Sequence, residues 1–269
     1  MGHTPGADWR SQLAAAKDVP VAQLVGEHVV LTVHLDSARR NEGQDPEALL
    51  RTYERVLAVE DALSGLDGKD PRDRRSPLRY FVSEAKAGIN PNAYTDRVAY
   101  PSDSIDEALN AEQLMKSWGI WHELGHMHQQ SSWLWESVDE VTVNLYSLAV
   151  QRDAGRPTRL ADDGTPGVVR KYLATAAGKK DFNGMGGDGF FVRLAMFEQL
   201  RLAFGDRFYP ELHKLARRSG KAGDPQQYLV LNASRWGLTV TPETRAAVAA
   251  LALPDPDRDP TTLDITKAS

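Results

Sequence analysis

The 269-residue chain contains no cysteine. That excludes a disulfide framework and any metal site built on thiolates, so a bound metal must be held by histidine and carboxylate. The absence fits a cytosolic protein and equally an exported bacterial one. No apolar run approaches the roughly 18 residues that a bilayer crossing requires. The opening MGHTPGADWRSQ also lacks the apolar stretch of an export signal. It reads as a trimmed or engineered start, so the lack of a signal there does not count against export. Basic residues are in no excess: 32 Lys and Arg against 37 Asp and Glu leave a net charge of −5. Such a balance gives nucleic acid no electrostatic footing and excludes it as an expected partner. Internal repeats and low-complexity tracts are missing too. What remains is ordinary globular material, 41% hydrophobic and 26% charged, long enough to bury a sizeable core.

Periodicity divides the chain in two styles. QLVGEHVVLTVHL (23–35) alternates around β-branched residues and is expected to be a strand, as is the short LRYFV (78–82). DPEALLRTYERVLAVEDALSGLDG (45–68) has an Asp-Pro start, helical spacing and a glycine stop, and is expected to be a helix. Residues 88–104, rich in Gly, Asn, Pro and Tyr, read as loop or short strand edge. From Ser104 the helical period dominates, with helices expected near 105–117, 118–130, 137–152, 167–176, 188–204, 206–218 and 241–252. The expected fold class is α+β, predominantly helical, with a small N-terminal β-sheet part ahead of a helical body and a cleft between them. Residues 1–19 are expected to be a start segment or linker, 20–254 one catalytic domain, and 255–269, charged and proline-rich, a loose C-terminal tail.

The chemistry concentrates in WGIWHELGHMHQQSSWLWESVDEVTVNLYS, residues 118 to 147. His122-Glu123-Leu124-Gly125-His126 fits the pattern HExxH. On a helix the two histidines lie about 40° apart, on one face, where both can reach a single ion. Glu123 is displaced beside them, placed to address a metal-bound water as general base. Chance alone yields HExxH in on the order of one chain of this length in a hundred, so the motif needs a third ligand. His128 sits about 200° from His126 if the helix continues, and so points away. From Val138 to Val150 the next segment carries no Lys or Arg and reads as a buried helix. Along it Glu140, Asn144 and Ser147 form one polar strip at helical spacing. A carboxylate on a buried helix is costly unless paired, and a divalent cation is the obvious partner, so Glu140 is the expected third ligand of one zinc ion. Glu136 and Asp139 suit capping of that helix better.

With HExxH and a glutamate on the following helix, the sequence resembles the gluzincin zinc peptidases, and implies their zincin-like fold. The acidic residue that braces the first histidine in that class is replaced here by Asn144, which leaves a weaker hydrogen bond available. The fuller pattern W-x-x-W-H-E-L-G-H-x-H-Q…W…E-V-T-x-N is more similar to the enhancin-like, mucin-degrading metallopeptidases. QLVGEHVVLTV resembles that family's opening strand, and AYPS (99–102) its Gly-Tyr-Pro loop, with Ala99 where glycine is expected. FFVRLAMFEQLRLAFGDRFYPEL and RWGLTVTPETRAAVAALALP resemble its distal helices, so the likeness runs from about residue 20 to 254. It implies a secreted or cell-surface enzyme that cuts mucin-like O-glycosylated protein next to a Ser or Thr bearing the sugar. Glycosylated protein is then the expected partner.

The remaining residues divide by position. Trp118, one turn before His122 and on its side of the helix, suits a sugar-stacking platform and equally a plain cleft wall. Trp121 is turned about 100° from His122 toward the core, and Trp133 and Trp135 are expected as wall or core. Gln129 projects to the metal face, and with Asn144 and Tyr100 it is a candidate substrate contact. The oxyanion donor such peptidases add is sought among Tyr94, Tyr100, Tyr209 and His213. His28 and His34 belong to the first strand, and His213 reads as an exposed helix residue. GMGGDGFF (184–191) lacks the Lys-Ser/Thr continuation of a phosphate cradle. Two other readings stand beside the glycopeptidase: a zinc peptidase of glycan-independent specificity, and an inactive glycan-binding module that keeps the fold. An intact general base counts against the second.

Overall fold

In the computed structural model, the described residues are 6–162, 164–187 and 189–219, together with 224–226, 228, 229 and 233. The helix expected at 241–252 and the tail from 255 lie outside them. The chain forms two compact units, one of residues up to Asp61 with Arg75–His128, the other of Ala62–Arg74 with the chain from Gln129 onward.

The first unit carries the sheet: β1 (Val21–Val25), β2 (Val29–His34), β3 (Tyr80–Ala85), β4 (Asn92–Ala93) and β5 (Val98–Pro101), in the spatial order β1-β2-β3-β5-β4. The outer pairs β1/β2 and β4/β5 are antiparallel, while β2/β3 and β3/β5 are parallel. The stretch expected as one strand over 23–35 is a hairpin. Gly26 donates to the Val29 carbonyl (2.8 Å), which reverses the chain at Glu27-His28 although the alternation of side chains continues through it. Within β2, Val29, Leu31 and Val33 point inward, the period of a strand covered on one face. β5 is buried along its whole length. It lies between two partners, so its run Val-Ala-Tyr-Pro shows no alternation, and residues 88–104 are more than the loop or strand edge expected there.

Among the described residues, the helices of this unit are α1 (Gly6–Ala15), α2 (Leu35–Arg40), α3 (Pro46–Leu63, all but its last two residues), α4 (Ile105–Leu109), α5 (Ala111–Leu114) and α6 (Trp118–His126). The segment expected as a start or linker therefore holds α1, which buries Trp9 and Leu13. The Arg39 side chain on α2 donates to the carbonyls of Leu13 and Ala16 just past it. α3 begins where Asp45 accepts the Glu47 N–H (2.9 Å), with proline at the first helical position. The helix expected over 105–117 is two, because Asn110 ends α4 and caps α5, accepting from Glu112 and Gln113 at 3.0 Å each.

The second unit holds α7 (Asp139–Thr142), α8 (Asn144–Asp153), α9 (Arg159–Asp162), α10 (Thr165–Ala174), α11 (Gly189–Phe204) and α12 (Phe208–Ser219). α11 and α12 match expectation closely. The helix expected over 137–152 is interrupted between α7 and α8. Thr142 Oγ1 donates to the Val138 carbonyl and Asn144 Nδ2 to the Glu140 carbonyl, so side chains take two acceptors that the helix ladder uses. Trp133 is buried among Phe197, Tyr209 and His213, at ring separations of 6.4, 5.9 and 5.1 Å. Residues 62–74 are sewn to α12. Arg217 donates to the Asp73 carboxylate and to the carbonyls of Ser64 and Gly65, and Arg218 donates to the same carboxylate. Gly65 (φ +63°) has no alternative there, since a Cβ would stand 2.5 Å from the Pro210 carbonyl oxygen.

Candidate metal centre

α6 is placed by contacts at its N-terminus and along one face. Ser117 caps it, and its hydroxyl donates to Glu107 Oε2 (2.7 Å). The Tyr100 hydroxyl donates to the same oxygen (3.0 Å) and lies 3.4 Å from Ser117 Oγ. Gly119 leaves room for that hydroxyl, which would stand only 3.3 Å from an added Cβ. Burial pushes the Tyr100 phenol up to about 12, so it is a donor and never an anion at neutral pH. Trp121 Nε1 donates to the Leu114 carbonyl (2.8 Å). Ile120, Trp121 and Leu124 are fully buried, worth about 1.5–3 kcal/mol each. Neither the Ser117 cap nor the Tyr100–Glu107 partnership beneath it was read from the sequence.

The opposite face carries the half-buried His122 and His126. Their Nε2 atoms are 3.2 Å apart and the rings meet nearly at right angles, 85°, with centroids 4.8 Å apart. Two nitrogens each about 2.05 Å from one tetrahedral ion stand about 3.3 Å apart, so this spacing fits a shared zinc ion. Glu123, between them in sequence, is buried. His128 lies past α6, which ends at His126. The Met127 and His128 N–H groups close its last turn on the carbonyls of Leu124 and Gly125, and His128 is buried elsewhere.

Other candidates fall in different surroundings. Glu140 stands exposed in the first turn of α7 and is not the buried carboxylate expected there, although α8 beyond it is buried as expected. Within the run expected to be buried, Val138, Val141 and Val143 are buried while Glu140 faces outward. Asn144 is fully buried and donates to the Glu140 carbonyl (2.7 Å). Gln129 Nε2 donates to the Asp139 carbonyl and to Thr142 Oγ1, tying its segment to α7. Trp118 is half-buried, its ring 6.4 Å from that of Trp121. Tyr100, expected at substrate, is 3% exposed with its proton committed to Glu107. Of the oxyanion candidates, Tyr209 donates to the Phe197 carbonyl, whereas Tyr94 is exposed, just past β4, and β4 packs against α6. His213, expected on the surface, is buried. Its Nδ1–H donates to the Tyr209 carbonyl and its Nε2 accepts from the Tyr146 hydroxyl, both at 2.7 Å. Burial lowers its pKa to about 4.

A family model described as peptidase M60, enhancin and enhancin-like, matches residues 1–236. The chain belongs to that family. His122, Glu123, His126 and Glu140 all lie within the M60 match, as does α1, ahead of the stretch whose resemblance begins near residue 20. A TRPM8 channel-associated factor homolog of Xenopus laevis is 28% identical over 204 residues, 72% of this chain and 21% of that protein. A functionally unknown conserved protein from Bacillus anthracis superposes with a TM-score of 0.73 at 31% identity, covering 93% of this chain and 55% of that one. The M60 catalytic domain of ZmpC from Clostridium perfringens, solved in complex with the sialyl T antigen, superposes with a TM-score of 0.70 at 16% identity, over 93% of this chain and 50% of that one. This last likeness shows the fold alone. The chain thus spans about a fifth of the curated relative and about half of each solved chain. No described helix is long and apolar enough to cross a membrane.

Proposed function

We propose that this M60 domain is a zinc-dependent endopeptidase, one ion per chain, acting outside the cell on mucin-like proteins beside an O-glycosylated Ser or Thr. The observation that carries the reading is the His122–His126 nitrogen pair, spaced for one tetrahedral ion, with Glu123 next to His122 in sequence. His122 and His126 would supply two ligands and Glu140 the third, a donor set of two imidazoles and a carboxylate that suits catalytic zinc and leaves a position open. Bound there, zinc would lower the pKa of a coordinated water to about 7 and polarise the scissile carbonyl. Glu123 accepts a proton from the attacking water and delivers it to the leaving amine, so the C–N bond breaks with a neutral amine departing. Its burial keeps that carboxyl away from competing solvent. Tyr94, exposed just past the β4 strand that packs against α6, is the remaining candidate for an oxyanion hydrogen bond.

Specificity for a glycan draws support from Trp118, half-buried one turn before His122, and from the sialyl T antigen held by the ZmpC domain of similar fold. A sugar stacked on an indole face uses remote binding energy to position the peptide. The deciding experiment digests a defined O-glycopeptide and its bare counterpart, with and without chelator, read by mass spectrometry. Chelator-sensitive cleavage of the glycosylated peptide alone is expected. Replacing Trp118 with alanine should cost about 1–3 kcal/mol in kcat/KM for that peptide. Equal cleavage of both peptides would instead make this an ordinary zinc peptidase, and no cleavage with glycan bound would make it a binding module.

A further inference from the structure

Helix α3 lays Leu49, Tyr53, Val56 and Leu57 into the core of the first unit, each at most 1% exposed. Glu60 continues that stripe at helical spacing, is 0% exposed, and stands where an apolar residue belongs. Neither of its oxygens has a hydrogen-bond partner among the described residues. A buried carboxylate without donors costs several kcal/mol. Burial and then the neighbouring Asp61 push Glu60 well above the usual carboxyl range.

What Glu60 faces is His128. The imidazole Nε2 lies 3.5 Å from Glu60 Oε2 and 3.1 Å from the Tyr80 hydroxyl. The ring stacks on Tyr80 with centroids 5.8 Å apart. Its Nδ1 is 4.0 Å from Asp61 Oδ1, and Arg75 pairs with the other oxygen of Asp61. One imidazole is thus clasped between α3 and β3. Apolar side chains of the same volume would fill this space at lower cost, so the return on a polar set is directional geometry.

His128 is the second residue past His126, and its backbone N–H closes the final turn of α6 on Gly125. Holding its side chain therefore holds the turn that carries His126. The other end of α6 is held by Ser117, Glu107 and Tyr100. We propose that His128, clasped by Glu60 and Tyr80, is a positioning residue that keeps His126 Nε2 at its metal-binding distance from His122 Nε2. The inference rests on the reading of those two histidines as zinc ligands.

The test measures zinc dissociation constants by competition with a chromophoric chelator, alongside thermal melts of the metal-free proteins. His128→Phe keeps the volume and the stacking on Tyr80 but loses the polar grip, and should weaken zinc binding about tenfold or more. Glu60→Gln keeps the shape and offers a neutral hydrogen-bonding partner, and should stay within about threefold of wild type. If His128→Phe fails to fold, Tyr80→Phe removes only the hydroxyl and should show a loss in the same direction. Wild-type zinc affinity in His128→Phe and Tyr80→Phe, with only their melting temperatures lowered, would reduce the cluster to packing and overturn the inference. A wild-type protein that takes up no zinc would overturn the metal reading itself, a separate result from the first.

Discussion

Removing the metal should cost stability without costing structure. The two imidazole nitrogens stand 3.2 Å apart, close to the roughly 3.3 Å that tetrahedral zinc asks for, so this geometry suits the ion without rearrangement of α6. That helix is secured by the burial of Ile120, Trp121 and Leu124 and by the Ser117 cap, none of which involves the ion. Zinc that binds the folded chain stabilises it by about 2.7 kcal/mol at a hundredfold excess over Kd. For a chain of this size each kcal/mol moves the melting temperature about 2–4 °C, so the shift should be about 5–11 °C. The assay is thermal melting in zinc-buffered solutions of increasing free metal, with far-UV circular dichroism of the chelated protein. Melting should rise with the logarithm of free zinc once Kd is passed, and helix content should not change on chelation. A melting temperature indifferent to zinc would refute the site. Loss of helix on chelation would refute the claim that the fold, and not the ion, sets the histidine spacing.

Glu123→Gln should retain stoichiometric zinc while losing about two to four orders of magnitude in kcat, measured on a cleavable glycopeptide; wild-type turnover would remove Glu123 from the mechanism. Asp73→Ala should destabilise by about 2–3 kcal/mol in urea melts. That is less than a fully buried pair would give, because Arg218 is 36% exposed and can rehydrate. His213 binds a proton at about 4 when folded, against an ordinary value of 6.5. Between those pH values the unfolded chain holds more protons, so its contribution is complete above about 6.5 and is lost as pH falls toward 4. Urea titrations at pH 7 and 4.5 should show up to about 3 kcal/mol of this loss in wild type and much less of it in His213→Gln.

Helix α6 was legible because its evidence is local: the HExxH spacing puts two histidines on one face by angle alone, and their Nε2 atoms stand 3.2 Å apart. Glu140 shows where local evidence stops. The run 138–150 reads as buried throughout, and Asn144–Gln151 are, but exposure in a first turn depends on what packs there, and the sequence carries no mark of that. His213 fails in the opposite direction, since Tyr146, 67 residues away, decides whether the imidazole faces solvent or a phenol. The hairpin at Glu27-His28 escaped because side-chain alternation survives a tight turn while backbone pairing does not. Glu60 left a visible sign, an acid in register with Leu49, Tyr53 and Val56, whose meaning depends on His128 arriving opposite it.

The clasp between Asp73 and α12 also sets a clock. Asp73 emerges 144 residues before Arg217, its partner. At about 5–20 residues per second of synthesis, this buried acid waits roughly 7–29 seconds for its countercharge. The pairings of the five-stranded sheet all fall between residues 21 and 101, so the sheet can zip while the rest is still being made. The second unit cannot close on that schedule: its earliest piece, 62–74, is held open until the helix at 208–219 appears. A nascent chain stalled between these points should present a formed sheet and an Asp73 still lacking Arg217 and Arg218, while Asp70 already has Arg72 beside it.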